Sequence, residues 1–222
     1  MIISYRHTPQ LLAKHIGGAV LVAALLLSGC SRSKETAYYS LSMPEPVTQR
    51  VNAEEFAAIR IGPIYTATYL NRQHIVTRTG NNQYRIDDYA RWIEPLNKTI
   101  QRYISIGLNN QLEDYFVFEF GTGDTLSEAR SYQIVMEVRR FDVDSSGLAV
   151  LDVQWGIERI NDEKILYAHS ESLTKQTDAG SYAAQAEALS GLLDELSTIM
   201  AKRIDELGDE AEAADGEDEG SI

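Results

Sequence analysis

One cysteine stands in 222 residues, so no disulfide can close within the chain. Basic residues are scarce beside acids: 20 Lys and Arg face 33 Asp and Glu, a formal charge of −13. Such a balance lacks the Lys/Arg clusters that supply most nucleic-acid affinity and the polybasic patch that holds a protein to anionic lipid. No nucleic-acid partner is expected. Histidine is rare too, at four residues. The two that follow the N-terminal segment, His74 and His169, lie far apart in strand-like sequence, which is a poor start for a metal site. No G-x-S-x-G elbow and no Walker P-loop occurs. Gly121-Thr122-Gly123 reads as a turn. Asp87-Asp88 could serve acid–base chemistry, but helix capping explains the pair more simply. The sequence therefore predicts no catalytic residue, no metal and no cofactor. The apolar run over residues 17–27 is about half of the roughly 20 residues that span a bilayer as a helix.

That short run has a distinct context. Residues 1–15 carry Arg6 and Lys14 and no acid. A basic start, a short apolar stretch and small residues at its end are the features of a secretory signal. The segment ends Leu27-Ser28-Gly29-Cys30 and resembles a bacterial lipoprotein signal, whose lipobox precedes an obligatory cysteine. The resemblance implies diacylglycerol on the Cys30 thiol, cleavage between Gly29 and Cys30, and acylation of the new amino group. A non-cleaved anchor with a bystander cysteine is the alternative. One chain holds a protein to a membrane marginally and several hold it stably, at about 0.8 kcal/mol per buried methylene. Ser31 at the next position resembles the default for sorting to the outer membrane, with the domain facing the periplasm; Asp there would resemble an inner-membrane retention signal.

Removing residues 1–29 takes away two basic residues and no acid. That leaves 18 basic against 33 acidic residues, a charge of −15. Membrane attachment then has to come from lipid on Cys30. Residues 30–37 form the lipidated start and a polar tether; six extended residues reach about 20 Å. The remainder, 38–207, suits one domain with a substantial core.

Within it, residues 38–41 read as a first strand. Strand 56–61 alternates Phe56, Ile59 and Ile61 with smaller or polar residues and is expected to end at Gly62-Pro63. A turn at 69–72, strand 74–78, the Gly80-Asn81-Asn82 turn and strand 83–86 follow. Trp92, Leu96, Ile100, Tyr103, Ile104, Leu108 and Leu112 recur at steps of three and four. This predicts a helix from about Glu94, with Pro95 in its first turn and Asp87 and Asp88 near its entrance. Strand 115–120 comes next. Segments 131–142, 148–160 and 164–174 alternate as a meander with one buried face. A second helix is expected over 182–207, with Ser181 as N-cap and Gly208 as C-cap. Its wide stripe, which takes in Leu192 and Ile199, permits a homo-oligomer contact, although broad core burial is the simpler reading. The fold class is α+β: a single domain with a mixed or mostly antiparallel sheet and two long amphipathic helices on one face. Residues 208–222 are acidic with almost no apolar residue and are expected to be a solvated, disordered tail.

Three segments in order carry a family resemblance: Ile61-Gly62-Pro63-Ile64, then Tyr69-Leu70-Asn71-Arg72-Gln73-His74-Ile75-Val76-Thr77-Arg78, then Arg91-Trp92-Ile93-Glu94-Pro95-Leu96. Their order and spacing resemble the PqiC family, auxiliary lipoproteins of ABC-type and MCE-type transport systems. Two features depart from that pattern: residues 65–68 lack a proline ahead of the Tyr69-Leu70 block, and the acidic tail is an addition. The resemblance implies a non-enzymatic envelope subunit, anchored in the outer membrane, that partners an MCE tunnel protein (PqiB-like) and its membrane components in lipid transport. Read from the residues alone, Gly62, Pro63, Arg78, Trp92, Pro95 and Leu96 are structural. Tyr69, Leu70 and Arg72 lie in a turn, where side chains are usually exposed, and are the candidate partner interface. Two other classes remain open: a tethered hydrolase of envelope polymers, and a structural or cell-wall-binding lipoprotein without a transport role.

Overall fold

A computed structural model describes residues 34–48, 57–121 and 131–219, with side chains as far as Gly208. The chain divides into the units Met1–Glu35 and Thr36–Ile222. Gly29, Cys30 and Ser31 lie outside the described residues, so the fold below is that of the second unit.

Its elements are β1 (Ala37–Tyr39), β2 (Ala57–Thr66), a 3-10 turn (Thr68–Leu70), β3 (His74–Gly80), β4 (Gln83–Trp92), α1 (Leu96–Asn109), β5 (Tyr115–Glu119), β6 (Ser131–Asp144), β7 (Leu148–Arg159), β8 (Lys164–Gln176) and α2 (Tyr182–Glu219). The strands form one mixed sheet around β6. Antiparallel β7 covers one side of β6, from Tyr132↔Arg159 to Val143↔Ala149. Two strands share its other side, both parallel: β2 along Ser131–Val138 and β3 at Val143 and Asp144. The sheet therefore forks. β5 continues beyond β2, β4 and then β1 beyond β3, and β8 beyond β7.

Alternation decides which face is covered. Ile134, Met136 and Val138 on β6 stand opposite Ile157, Trp155 and Val153 on β7, and all six are buried. A register shift between Val138 and Arg140 keeps Phe141 and Val143 buried with them; without it the period of two would turn them outward. α1 packs on β2 and β5, α2 packs on β6, β7 and β8, and the helices pack on each other. Both thus cover the same face. They approach closely at Gly107, where a Cβ would stand 2.8 Å from Ser197 Oγ. Tyr103 Oη donates to Asp194 across the same contact at 2.9 Å.

Several expectations are corrected. β2 does not end at Gly62-Pro63 but runs on to Thr66, with a bulge between Ile61 and Ile64. β4 extends to Trp92, so Trp92 closes a strand instead of opening a helix. Asp87 and Asp88 lie within β4, and Asp87 accepts from Tyr182 Oη at 2.9 Å instead of capping α1. Regular helix starts at Leu96 with Pro95 as its N-cap, because a residue before proline resists helical angles. Ser181 does cap α2, its Oγ accepting from Ala184 N at 3.2 Å. Gly208 does not end it: the helix continues to Glu219, into the segment expected to be disordered. Acidic composition denies that segment a core, but Ala and Glu are strong helix formers and need no core to extend a helix already nucleated. Leu192 is fully buried and Ile199 packs partly against the core, so core burial accounts for the wide stripe of α2.

Candidate functional site

The second and third segments of the family resemblance meet at one corner, where the 3-10 turn leads into the β3–β4 hairpin; the first lies earlier, at the bulge of β2. At that bulge, Gly62 has φ +112° and is followed by a cis bond to Pro63. A Cβ on Gly62 would lie 3.0 Å from Phe120 Cβ and 3.2 Å from Gln101 Nε2. Both angle and space therefore call for glycine. Gln101 reaches in from α1, its Nε2 donating to Ile61 O at 2.9 Å and Phe120 O at 3.1 Å. Its side chain ties the bulge of β2 to the end of β5, which explains why a polar residue of α1 is buried.

The 3-10 turn follows the end of β2. Tyr69 Oη donates to Asp142 Oδ2 at 2.9 Å. The Asp142 side chain is fully buried, with a relative exposure of 0%, and its Oδ1 accepts from both Nε and Nη2 of Arg140 at 3.1 Å. A buried carboxylate needs such partners, since an unpaired one would be costly. Burial and the Asp142 charge push the Tyr69 phenol well above its ordinary range. Burial opposes the charge on Arg140, but the hydrogen bond to Asp142 prevails and raises its pKa. The Tyr69 ring packs on Tyr84, with centroids 5.1 Å apart. Arg78 lies over the Tyr84 ring, 6.0 Å from its centroid, and donates to Gly80 O and Asn81 O of the hairpin turn.

The proposed turn interface is thus only partly a surface. Leu70 is buried at 3% exposure and joins the core with Trp92 and Leu96; the 3-10 turn folds it inward. Tyr69 is half-buried and committed to Asp142. Arg72 is exposed, and Tyr84 beside Tyr69 is 43% exposed. Trp92 N donates to Gln73 O at 2.6 Å, which joins the second and third segments directly. Pro95 O accepts from Lys98 N and Thr99 N, both at 3.1 Å, and so caps α1.

Gln101, Asp142 and Arg140 were not singled out from sequence. Gln101 sits beside Ile100 on the buried stripe, and a polar residue there is a weak signal. Asp142 and Arg140 lie on β6, Asp142 73 residues from Tyr69, and nothing local announces the pairing. His74 and His169 are not brought together: His74 is half-buried on β3, and His169 pairs with Glu171 at 3.0 Å on β8. Among the described residues no group of His, Cys, Asp and Glu could hold a metal ion, and no helix is long and apolar enough to cross a membrane. The arrangement is one of internal satisfaction: its buried acid, its phenol and its amide are each bonded within the fold.

The chain matches, over residues 39–201, the family model described as ABC-type transport auxiliary lipoprotein component, and it belongs to that family. Its fold is similar to a crystal structure of an uncharacterized protein, at 17% identity and a TM-score of 0.64, covering 77% of this chain and 99% of that one. It is also similar to protein XCC0632 from Xanthomonas campestris, of family model DUF330, at 15% identity and a TM-score of 0.59, covering 74% and 92%. Among curated proteins no match is found.

Proposed function

We propose that this transport auxiliary lipoprotein is the outer-membrane-anchored, periplasmic and non-enzymatic subunit of an MCE-type, ABC-linked lipid transport system. The observation that carries the reading is the family match over residues 39–201. The geometry supports it: most of the residues that mark the family hold the β2 bulge, the 3-10 turn and the start of the β3–β4 hairpin in place, as a scaffold requires. Lipid on Cys30 supplies the attachment, Ser31 the outer-membrane address, and Arg72, exposed at the turn, a polar contact for an MCE partner. Arg is favoured at interface hot spots.

Membrane fractionation and co-purification from native membranes test the reading together. The unaltered protein should float with the outer membrane and bring an MCE-domain protein with it. Cys30→Ala should leave an unprocessed or soluble product, and Ser31→Asp should move the protein toward the inner membrane. An unchanged distribution of the Cys30→Ala chain would refute the anchor. Repeated purification without any MCE-domain protein would refute the transport partner and favour a structural, cell-wall-binding role.

A further inference from the structure

Away from this corner, at the opposite end of β6, a cavity of about 250 Å³ lies between the sheet and the C-terminal half of α2. Ile59, Ile134, Ile157, Leu166, Ile204 and Leu207 form its apolar wall. The space is a cleft partly open to solvent, with Tyr115, Tyr132, Arg159 and Gly208 completing its lining. It exceeds the roughly 150 Å³ of an engineered apolar cavity that stays dry and takes up benzene.

Local structure builds the space. A register shift between Ile157 and Glu158 leaves Leu166 without a partner on β7, and the bulge turns this residue into the cavity wall. At the mouth, Tyr115 lies so close to α2 that a Cβ on Gly208 would stand 2.7 Å from its Oη. Glycine there lets the helix pass the ring. The only charged residue among the described lining is Arg159. Its Nε is buried and has no hydrogen-bond partner among the described residues. Asp162 Oδ1 lies 3.4 Å from that same Nε and forms an ion pair with it, and the Arg159 side chain is 37% exposed.

We propose that this cavity binds a single hydrocarbon chain whose anionic head group lies against Arg159. The apolar lining matches the chain, and the partly exposed Arg159 cation matches the head. This site does not depend on the MCE reading: it would hold for any envelope role. A free fatty acid and the acyl chain of a phospholipid share this chemistry.

The test uses the full chain carrying Cys30→Ala, so that no covalent lipid competes, in calorimetric titrations with saturated fatty acids of increasing length and with lysophospholipids of the same lengths. Affinity should rise about fourfold for each methylene buried, the equivalent of about 0.8 kcal/mol, and then level off once the cavity is full. Whichever series binds more tightly identifies the source of the chain. Ile204→Trp and Leu166→Trp, which fill the cavity from the helix and from the sheet, should each weaken binding at least tenfold. Ile165→Trp on the exposed side of β8 should not. Arg159→Gln should abolish any preference for a carboxylate over its methyl ester. Absence of binding, affinity independent of chain length, or folded filling variants that bind normally would overturn the proposal. If the filling variants fail to fold, the length series on the Cys30→Ala chain still decides.

Discussion

Replacing Tyr69 with Phe removes a single oxygen and tests whether the 3-10 turn belongs to the folding machinery. Tyr69 Oη donates to Asp142 Oδ2 at 2.9 Å, and that carboxylate is sealed from solvent. Hydrogen bonds to charged groups contribute about 1.5–3 kcal/mol. Asp142 keeps its two contacts with Arg140, and the phenol is only half-buried, so the lower end of that range is expected. A domain of this size loses about 2–4 °C of melting temperature per kcal/mol. The pH dependence supplies a second signature. Because the folded state raises the Tyr69 pKa, its contribution is complete below the ordinary phenol value of about 10 and is lost as pH rises above it. Tyr103 and Tyr182 shift in the same direction, each through burial and a bonded carboxylate. Urea titrations should therefore show Tyr69→Phe less stable at pH 7, with a smaller further loss than the unaltered chain on going to about pH 10.5, where the unfolded phenol ionises. A midpoint at pH 7 within error of the unaltered protein would refute the assignment and return Tyr69 to the list of surface contacts.

Trp92→Ala should cost about 3–5 kcal/mol, since it empties a buried site beside Leu70 and Leu96; thermal melting followed by circular dichroism measures it, and a loss below 1 kcal/mol would remove Trp92 from the core. Gly62→Ala should destabilise by about 1–3 kcal/mol, because alanine must adopt φ +112° against Phe120, and the same substitution at Gly80, whose Cβ would have 3.9 Å of clearance, should cost much less. Truncation after Gly208 should leave the melting temperature of the domain nearly unchanged, as Ile204 and Leu207 are the last residues of α2 in the described core and the segment beyond is acidic with almost no apolar residue; a fall of many degrees would show that residues 209–222 pack.

How far the fold was legible depended on how local its cause was. The period of two in β6 and β7 and the period near four in both helices are set by neighbours in sequence, and each element appeared where its pattern lay. The errors came where a distant partner prevailed. Gly62-Pro63 carries every local mark of a strand end, yet the Gln101 amide from α1 and the end of β5 hold β2 on course through the bulge. Asp87 carries the mark of a helix entrance, yet Tyr182 at the start of α2 claims its carboxylate. Gly208 has the look of a C-cap, but Tyr115 from β5 occupies the space where its side chain would be. In all three cases the partner lies dozens of residues away, where no local rule could supply it.

The same distinction separates the family's signature from its function. The Tyr69–Arg78 block is recognisable because it folds against fixed partners: Leu70 in the core, Tyr69 on Asp142, Arg78 on the hairpin turn, and Gln73 on Trp92. Most of its side chains cannot face a transport partner without opening the corner. A double substitution of Tyr69 and Arg72 would thus confound unfolding with lost binding, because the first residue stabilises the domain and only the second is exposed. Arg72→Ala alone separates them: it should leave the melting temperature within about 0.5 kcal/mol-equivalent of the unaltered chain, as surface substitutions usually do, while weakening capture of an MCE-domain protein in a pull-down. Normal capture by a stable Arg72→Ala chain would take the turn out of the interface altogether and leave the block as scaffold only.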